Sequence, residues 1–495
     1  MQTERIDQAR VGIEAVSSRW VLISLSLIAI APFWTVRYPV MIDYPNHLAR
    51  WFVLFHMNDP GYHFQDLYAP AWGLLPYISV DVLAIGLQHF LPIAVVGKCI
   101  LSLCVILTAA LTHFFVKQAC SENLGLSSFG ILIALNPMFL MGSISFGFSI
   151  AFCMLVVGLW VRYCREPRVI TALCIVGGLM LVYLTHLYGF VVAGFAMGIY
   201  SLFQAQRWKK LAILAVLSVP ELLILLHNPI HTSGGPSVVY AGLTPKVKLA
   251  SLFFPVRLYT SKITDYVLLA GLALLVYLIL KDRLTLRLRP AWLAVCAILL
   301  LIYFVAPADY GDIGAYMDER LLPFLYLFCL AVAQFKRIPW YLSIGLVVLI
   351  LFRVAAIEQM FISQQSYLQQ LTDSFQEIPR NAKVLPIVRL PRTGYMGRGD
   401  IHHMEYGIIE RGFLDPVLFH VRGVQPIRLV GSPYCPTVHC EVAEAADVDW
   451  QQIANSYDYL WVHGDPEITT SASRIGDVIF LSDAVTIYRV RHPQP

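Results

Sequence analysis

Apolar runs of about 16 to 25 residues recur from Arg19 to Ile357, separated by short polar segments. Each is long enough to cross a hydrocarbon core about 30 Å thick. Eleven spans follow, at approximately 20–36, 94–116, 125–141, 146–163, 169–185, 188–204, 211–228, 266–280, 291–306, 321–335 and 340–357. Strands of an outer-membrane barrel would alternate apolar and polar positions at period two, and these runs do not. After Ile357 the apolar stretches shorten and turn residues intervene. The pattern there predicts helices at 358–375, 401–411 and 448–455, and strands at 383–389, 457–462, 477–481 and 484–490. Such alternation suggests a compact sheet covered on one side.

The expected fold class is therefore an α-helical polytopic membrane protein of about eleven transmembrane helices with a small C-terminal α/β exterior domain. Residues 1–357 form the membrane domain, including a first exterior loop at 37–93, and residues 358–495 the soluble periplasmic domain. Within the first loop, 51–57 and 77–90 are amphipathic and too short to span, so they are expected along the membrane interface.

Charge fixes the orientation. With the N-terminus inside, Arg5, Arg10, Arg19, Lys117, Arg162, Arg165, Arg168, Arg207, Lys209, Lys210, Lys281, Arg283, Arg287, Arg289, Lys336 and Arg337 all fall in short cytoplasmic segments. These are 16 of the 25 basic residues before position 358, as the positive-inside rule requires. An odd number of spans then places the tail outside, in the periplasm of a bacterial inner membrane. The first apolar run follows Arg5, Arg10 and Arg19 and ends at Arg37-Tyr38-Pro39 without a small-residue cleavage site, which reads as a retained helix.

Composition agrees: 58% of the 495 residues are apolar and 14% charged, far from the roughly 25% charge of soluble domains. The tail carries 11 basic against 16 acidic residues, which argues against a nucleic-acid partner. Of ten cysteines, only Cys435 and Cys440 lie in the tail, at a spacing that suits a disulfide in an oxidising compartment.

Candidate chemistry concentrates just outside the first span, where Asp43, His47 and Arg50 fall within eight residues at the membrane–water boundary. Pro45 suits the first turn of a helix. Asp43 is thus either a helix cap or a group presented to a cavity, which His47 and Arg50 would line. Among outward-facing cations, Arg320 ends Met317-Asp318-Glu319-Arg320 at head-group depth. It is either a phosphate ligand or an interface arginine paired to Asp318 or Glu319. Arg257 has aromatic neighbours suited to a prenyl chain, whereas Lys246, Lys248 and Lys262 read as a solvated loop face. Glu221, mid-span after Pro220, is either a protonated acid hydrogen-bonded across helices or a cavity residue. His186, at the outer end of its span, is a further cavity-lining candidate.

One span, a long outer loop opening with Asp43, an interfacial helix and a bundle of spans together resemble the GT-C membrane glycosyltransferases, whose bacterial members include family-39-like and aminoarabinose-transferase-like enzymes. The resemblance is carried by Asp43, Leu75-Pro76-Tyr77, the span beginning near Val95, Ala134-Leu135-Asn136-Pro137-Met138-Phe139 and Leu184-Thr185-His186-Leu187-Tyr188-Gly189, across most of residues 18–335. It implies a polyprenyl-phosphate-linked sugar donor, a saccharide or lipid acceptor, membrane-lipid contacts, Asp43 as general base, and donor-phosphate binding by Arg320 and Arg257. In that family an acidic pair is frequent; here Tyr44 follows Asp43, so a need for Mg²⁺ or Mn²⁺ stays open. The reaction expected is inverting transfer to a cell-envelope acceptor at the outer face of the inner membrane. The alternatives are a transporter or flippase of a lipid-linked saccharide and a non-catalytic membrane scaffold.

Overall fold

The computed structural model describes residues 19–227, 238–239, 244–258, 261–281, 287–310, 315–335, 338–388, 398–431, 433–435, 448–463 and 466–492. The chain divides into two compact units: Met1–Thr35 with Cys99–Gln359, and Val36–Lys98 with Met360–Pro495. The first loop thus belongs to the unit that contains the tail.

In the first unit the apolar runs become helices, but not all are uninterrupted. Among the described residues, Ile93–Ala119, Ile144–Arg165, Lys262–Lys281 and the helix beginning at Trp340 are long and apolar enough to cross a membrane. Arg207–Leu217 and Val219–His227 form a further span if taken together, bent by 45°. Pro220 accounts for that break, since a proline cannot donate within a helix and crowds the preceding turn. Shorter apolar helices occupy Arg19–Trp34, Phe129–Met141, Val169–Thr185, Leu187–Leu202 and Pro290–Val305.

Two expected spans are locally different. The run 125–141 breaks at Leu135: the Asn136 side chain accepts from the Phe139 amide and Pro137 starts a new turn. Gly142, at φ 108°, ends it in the left-handed conformation that glycine adopts without penalty. Only Leu322–Cys329 of the run 321–335 is α-helical, and Ala333–Gln334 pair instead with Arg287–Leu288 as a short antiparallel ribbon.

The break at Leu135 exposes a feature the hydropathy pattern hides. Arg353, on the helix Trp340–Asp373, is fully buried. Its guanidinium donates to the carbonyls of Leu135 (3.1 Å from Nε), Arg257 (3.2 Å) and Val256. A cation at this depth is costly unless its donors are used, and here carbonyls released by broken helices use them.

In the second unit, Val384–Val388 runs parallel to Tyr459–His463, which pairs antiparallel with Val485–Val490; Gly476–Leu481 is the outer strand. Both parallel strands are buried at every position, so this part of the sheet is covered on both faces, whereas Gly476–Leu481 is largely exposed. Leu385, Ile387, Leu460 and Val462 pack with Ile453 and Ile468 from the flanking helices Trp450–Ser456 and Pro466–Ala472. On the opposite side Trp461 donates to Ser374 Oγ at 3.0 Å and stands against Phe375. The first loop contributes Tyr44–Phe55 and Ile78–Gln88. Tyr44–Phe55 is not an interfacial helix: Trp51 and Val53 are fully buried and Leu54 nearly so. Its apolar positions point into this unit, where burying each large side chain stabilises by about 1.5–3 kcal/mol.

Candidate functional site

Asp43 immediately precedes the helix Tyr44–Phe55, with φ −87° and ψ −6°, and its side chain makes no capping hydrogen bond. The cap reading of this residue therefore fails. The carboxylate instead faces His402, whose Nε2 lies 3.5 Å from Asp43 Oδ1. His402 Nδ1 in turn lies 3.2 Å from Glu405 Oε1, which also accepts from Asn46 Nδ2 at 3.2 Å. Asn46 is held by a second bond to the Val417 carbonyl and by the Phe419 amide, which donates to its Oδ1 at 2.8 Å. Asp43 is 28% exposed, His402 5% and Glu405 1%, so the chain of groups runs from an accessible carboxylate to a buried one.

Arg50 and His47 take other roles. Arg50 is buried, its Nε donating to Asp81 Oδ1 at 2.8 Å, and Trp51 Nε1 donates to the same oxygen at 2.8 Å. Burial pushes the Asp81 carboxyl above the usual carboxylate range, with Arg50 pulling the other way. His47 sits 3.0 Å from Arg50 Nη2 and stacks on Trp51. Arg50 is thus engaged inside the unit rather than turned toward a phosphate.

The same unit holds a second buried polar group. Arg398 donates to Asp400 at 2.9 Å from Nε, and Asp400 lies 3.6 Å from His463 Nε2, which also meets the Tyr367 hydroxyl. Burial opposes ionisation of Asp400, but Arg398 and His463 hold its carboxyl below the ordinary value. His403 is wholly buried with its Nε2 2.8 Å from Thr372 Oγ1, and burial pushes it down to about 3.

The first unit brings together His186 and Arg320. His186 is extended backbone between Val169–Thr185 and Leu187–Leu202. Its Nδ1 accepts the Tyr188 amide at 3.1 Å, which in a neutral ring leaves the proton on Nε2. Arg320 Nη1 lies 3.1 Å from that Nε2, so the guanidinium and the imidazole are held side by side. The guanidinium also lies over the Phe146 ring, 5.1 Å from its centre, and donates to the Ala315 carbonyl.

Asp318 is the buried partner of Lys248, whose Nζ also donates to the carbonyls of Tyr303 (3.0 Å) and Ala306 (3.1 Å). Lys248 is therefore not part of a solvated face, while Lys246 and Lys262 are exposed. Arg257 pairs with Asp265 at 3.1 Å. Burial raises the Glu319 carboxyl to about 7. Both carboxylate oxygens of Glu221 are buried without a hydrogen-bond partner among the described residues, so the cross-helix bond expected of it is not formed there. A cavity of about 1010 Å³ in this unit is lined by apolar side chains including Phe129, Phe253, Tyr277, Leu300, Tyr326 and Leu346.

Among the described residues no group of three or more His, Cys, Asp or Glu side chains is arranged to hold a metal ion. Cys435 is disulfide-bonded; Cys440, its expected partner, lies outside the described residues. Sequence reasoning missed His402, Glu405, Asp81 and Arg353. For the first two, the cluster His402-His403-Met404-Glu405 was the available signal; for Arg353, it was a single cation inside a long apolar run.

No family model and no curated protein sequence matches the chain. Solved structures do. It is similar to ArnT from Cupriavidus metallidurans in the apo state, at 10% identity and TM-score 0.52, covering 96% of this chain and 98% of that one. It is similar also to the same protein bound to undecaprenyl phosphate, at 10% identity and TM-score 0.51, covering 96% and 97%. The chain thus shares the fold of ArnT over nearly its whole length.

Proposed function

We propose that this protein is a polyprenyl-phosphate-sugar-dependent glycosyltransferase of the bacterial inner membrane, acting at its outer face on a cell-envelope acceptor. The observation that carries the reading is the likeness over nearly the whole chain to ArnT, one of whose structures holds undecaprenyl phosphate. Side-chain chemistry supports it. Asp43 makes no capping hydrogen bond and is partly exposed, as a base that must meet an acceptor hydroxyl has to be. Arg320, held beside His186, supplies a cation suited to a phosphate, whose departure needs charge stabilisation rather than an acid. The apolar cavity of the first unit suits a prenyl chain.

In the reaction, the acceptor O–H bond breaks as its proton passes to Asp43, and the oxygen bonds to the anomeric carbon. The bond from that carbon to the phosphate oxygen breaks with its electron pair on the phosphate, releasing polyprenyl phosphate. Attack opposite the leaving group inverts the anomeric centre. Arg257, paired with Asp265, is the weaker phosphate ligand of the two arginines first considered.

Lipid extracts of cells lacking the protein, analysed by mass spectrometry, should show one prenyl-phosphate sugar accumulating. With that fraction as donor and envelope extract as acceptor, purified protein should transfer the sugar. Asp43→Asn should lower the rate about 10²–10⁴-fold, the usual effect of losing a general base. Transfer by Asp43→Asn at the parent rate would remove Asp43 from the chemistry. A flippase or scaffold would tolerate the change and transfer nothing.

A further inference from the structure

We infer that His402, backed by Glu405, is a positioning residue for Asp43: a protonated imidazole held between two carboxylates that fixes the orientation and the charge of the general base. The inference rests on the glycosyl-transfer reading above and goes beyond it by assigning a task to the tail.

The argument is geometric. His402 Nδ1 lies 3.2 Å from Glu405 Oε1, and His402 Nε2 lies 3.5 Å from Asp43 Oδ1. A neutral imidazole has one N–H and one lone pair. With Nδ1–H donated to Glu405, a neutral ring would turn its Nε2 lone pair toward a carboxylate oxygen, which is repulsive unless a proton lies between them. With that proton on Nε2, both contacts are attractive. Glu405 fixes the ring from behind, and it is itself fixed by Asn46, on the first turn of the helix that follows Asp43. The Phe419 ring stands edge-on to the imidazole, 5.2 Å between centres, which limits the directions the ring can take.

Other charged and titratable groups on the packed elements are engaged elsewhere. Arg50 pairs with Asp81 and contacts His47, His403 bonds to Thr372, and Glu410 pairs with Arg37. The Tyr406 ring packs against Tyr38 and His403. Among the described residues, Asp43 and Glu405 are the carboxylates that meet the His402 ring.

Two consequences follow for the reaction. A carboxylate held from one side meets the acceptor hydroxyl in one orientation, and misplacement of a reacting group is costly in rate. A cation beside Asp43 keeps the carboxylate ionised to lower pH. Loss of that cation moves the acid limb of the rate profile toward higher pH.

The test uses the full-length protein in lipid nanodiscs with ¹⁵N-labelled histidine. One imidazole signal, assigned by its loss in His402→Gln, should shift its titration midpoint to lower pH in Asp43→Asn, because a negative neighbour has gone. Transfer is then measured with the prenyl-phosphate sugar fraction from cells lacking the protein and with envelope extract. His402→Gln should lower kcat at least tenfold with the donor KM within twofold, and should move the acid limb of kcat/KM upward. His402→Phe, which can fill the space but not hydrogen-bond, should be slower still. A midpoint unmoved by Asp43→Asn, or a His402→Gln profile identical to the parent, overturns the inference. If the parent protein itself transfers no sugar, the glycosyl-transfer reading falls, whereas the titration still decides whether His402 and Asp43 are coupled.

Discussion

At the scale of single residues, local spacing groups Asp43, His47 and Arg50 but cannot assign their partners. Asp43 stood out because a carboxylate beside an apolar run is costly without a purpose, yet its partner His402 is 359 positions away and invisible to local spacing. Of the two readings of Arg320, a phosphate ligand or a partner of Asp318 or Glu319, the pairing with Asp318 is not formed: Lys248 takes Asp318, and Arg320 meets His186. The pairing makes a distinct prediction. If Arg320 binds the donor phosphate beside His186, Arg320→Ala should weaken undecaprenyl phosphate binding by tenfold or more. Arg320→Lys should restore only part, because an ammonium lacks the guanidinium's fork. His186→Phe, which keeps the ring near Phe146 but removes Nε2–H, should weaken it less than Arg320→Ala. Titration of the purified protein with undecaprenyl phosphate by intrinsic fluorescence measures all three, and equal affinities across the set would place the phosphate elsewhere.

At the scale of elements, apolar length located helices well and their interruptions poorly. Each expected span has a helix within it, but the break at Leu135 depends on Asn136-Pro137 and on an arginine more than two hundred residues later. Arg353→Met should destabilise the protein by about 1–3 kcal/mol, the cost of leaving buried carbonyls without donors. Thermal unfolding in detergent reads it, and a stability equal to the parent's would mean that the carbonyls find other donors. In the tail, the pattern marked 457–462 as a strand, found at Tyr459–His463, but not that both its faces are covered, since the covering residues Phe375 and Ser374 belong to a distant helix end. Burial there has a pH signature. His403 titrates at about 6.5 when unfolded and at about 3 in the fold, so the unfolded chain binds the extra proton. Its contribution is complete above pH 6.5 and is lost as pH falls toward 3, at most about 1.4 kcal/mol per pH unit. The lowered values of His463 and Asp400 act in the same direction. His403→Gln, which can still donate to Thr372, should flatten the fall in melting temperature between pH 6.5 and 4. A parent and variant with parallel pH curves would show that His403 is not the group that senses acid.

At the scale of the whole molecule, the membrane orientation inferred from charge can be tested against contacts that played no part in inferring it. Segments assigned to the cytoplasm should touch only one another within the first unit, and those assigned to the exterior likewise. Lys210 donates to the Cys164 carbonyl, Arg289 to the Ala119 carbonyl and to Gln334, and Gln334 to Glu122. All of these lie in or next to inner segments. Lys248 pairs with Asp318, Arg257 with Asp265, His186 with Arg320, and Val238–Val239 with Asp309–Tyr310. All of these lie in or next to outer segments. These contacts keep the two sets of loops apart within the first unit, while the side that faces the cytoplasm rests on the charge pattern. The first loop and the tail belong to one unit, as they would if the expected odd number of crossings put both on the same side. Reporter fusions after Lys210 and at the C-terminus should accordingly report opposite compartments, with Lys210 cytoplasmic. A result placing both in one compartment would require an even number of crossings between them. Residues 211–335 would then have to be recounted first, because the bent pair Arg207–Leu217 and Val219–His227 and the short helix Leu322–Cys329 are the least regular of the expected crossings.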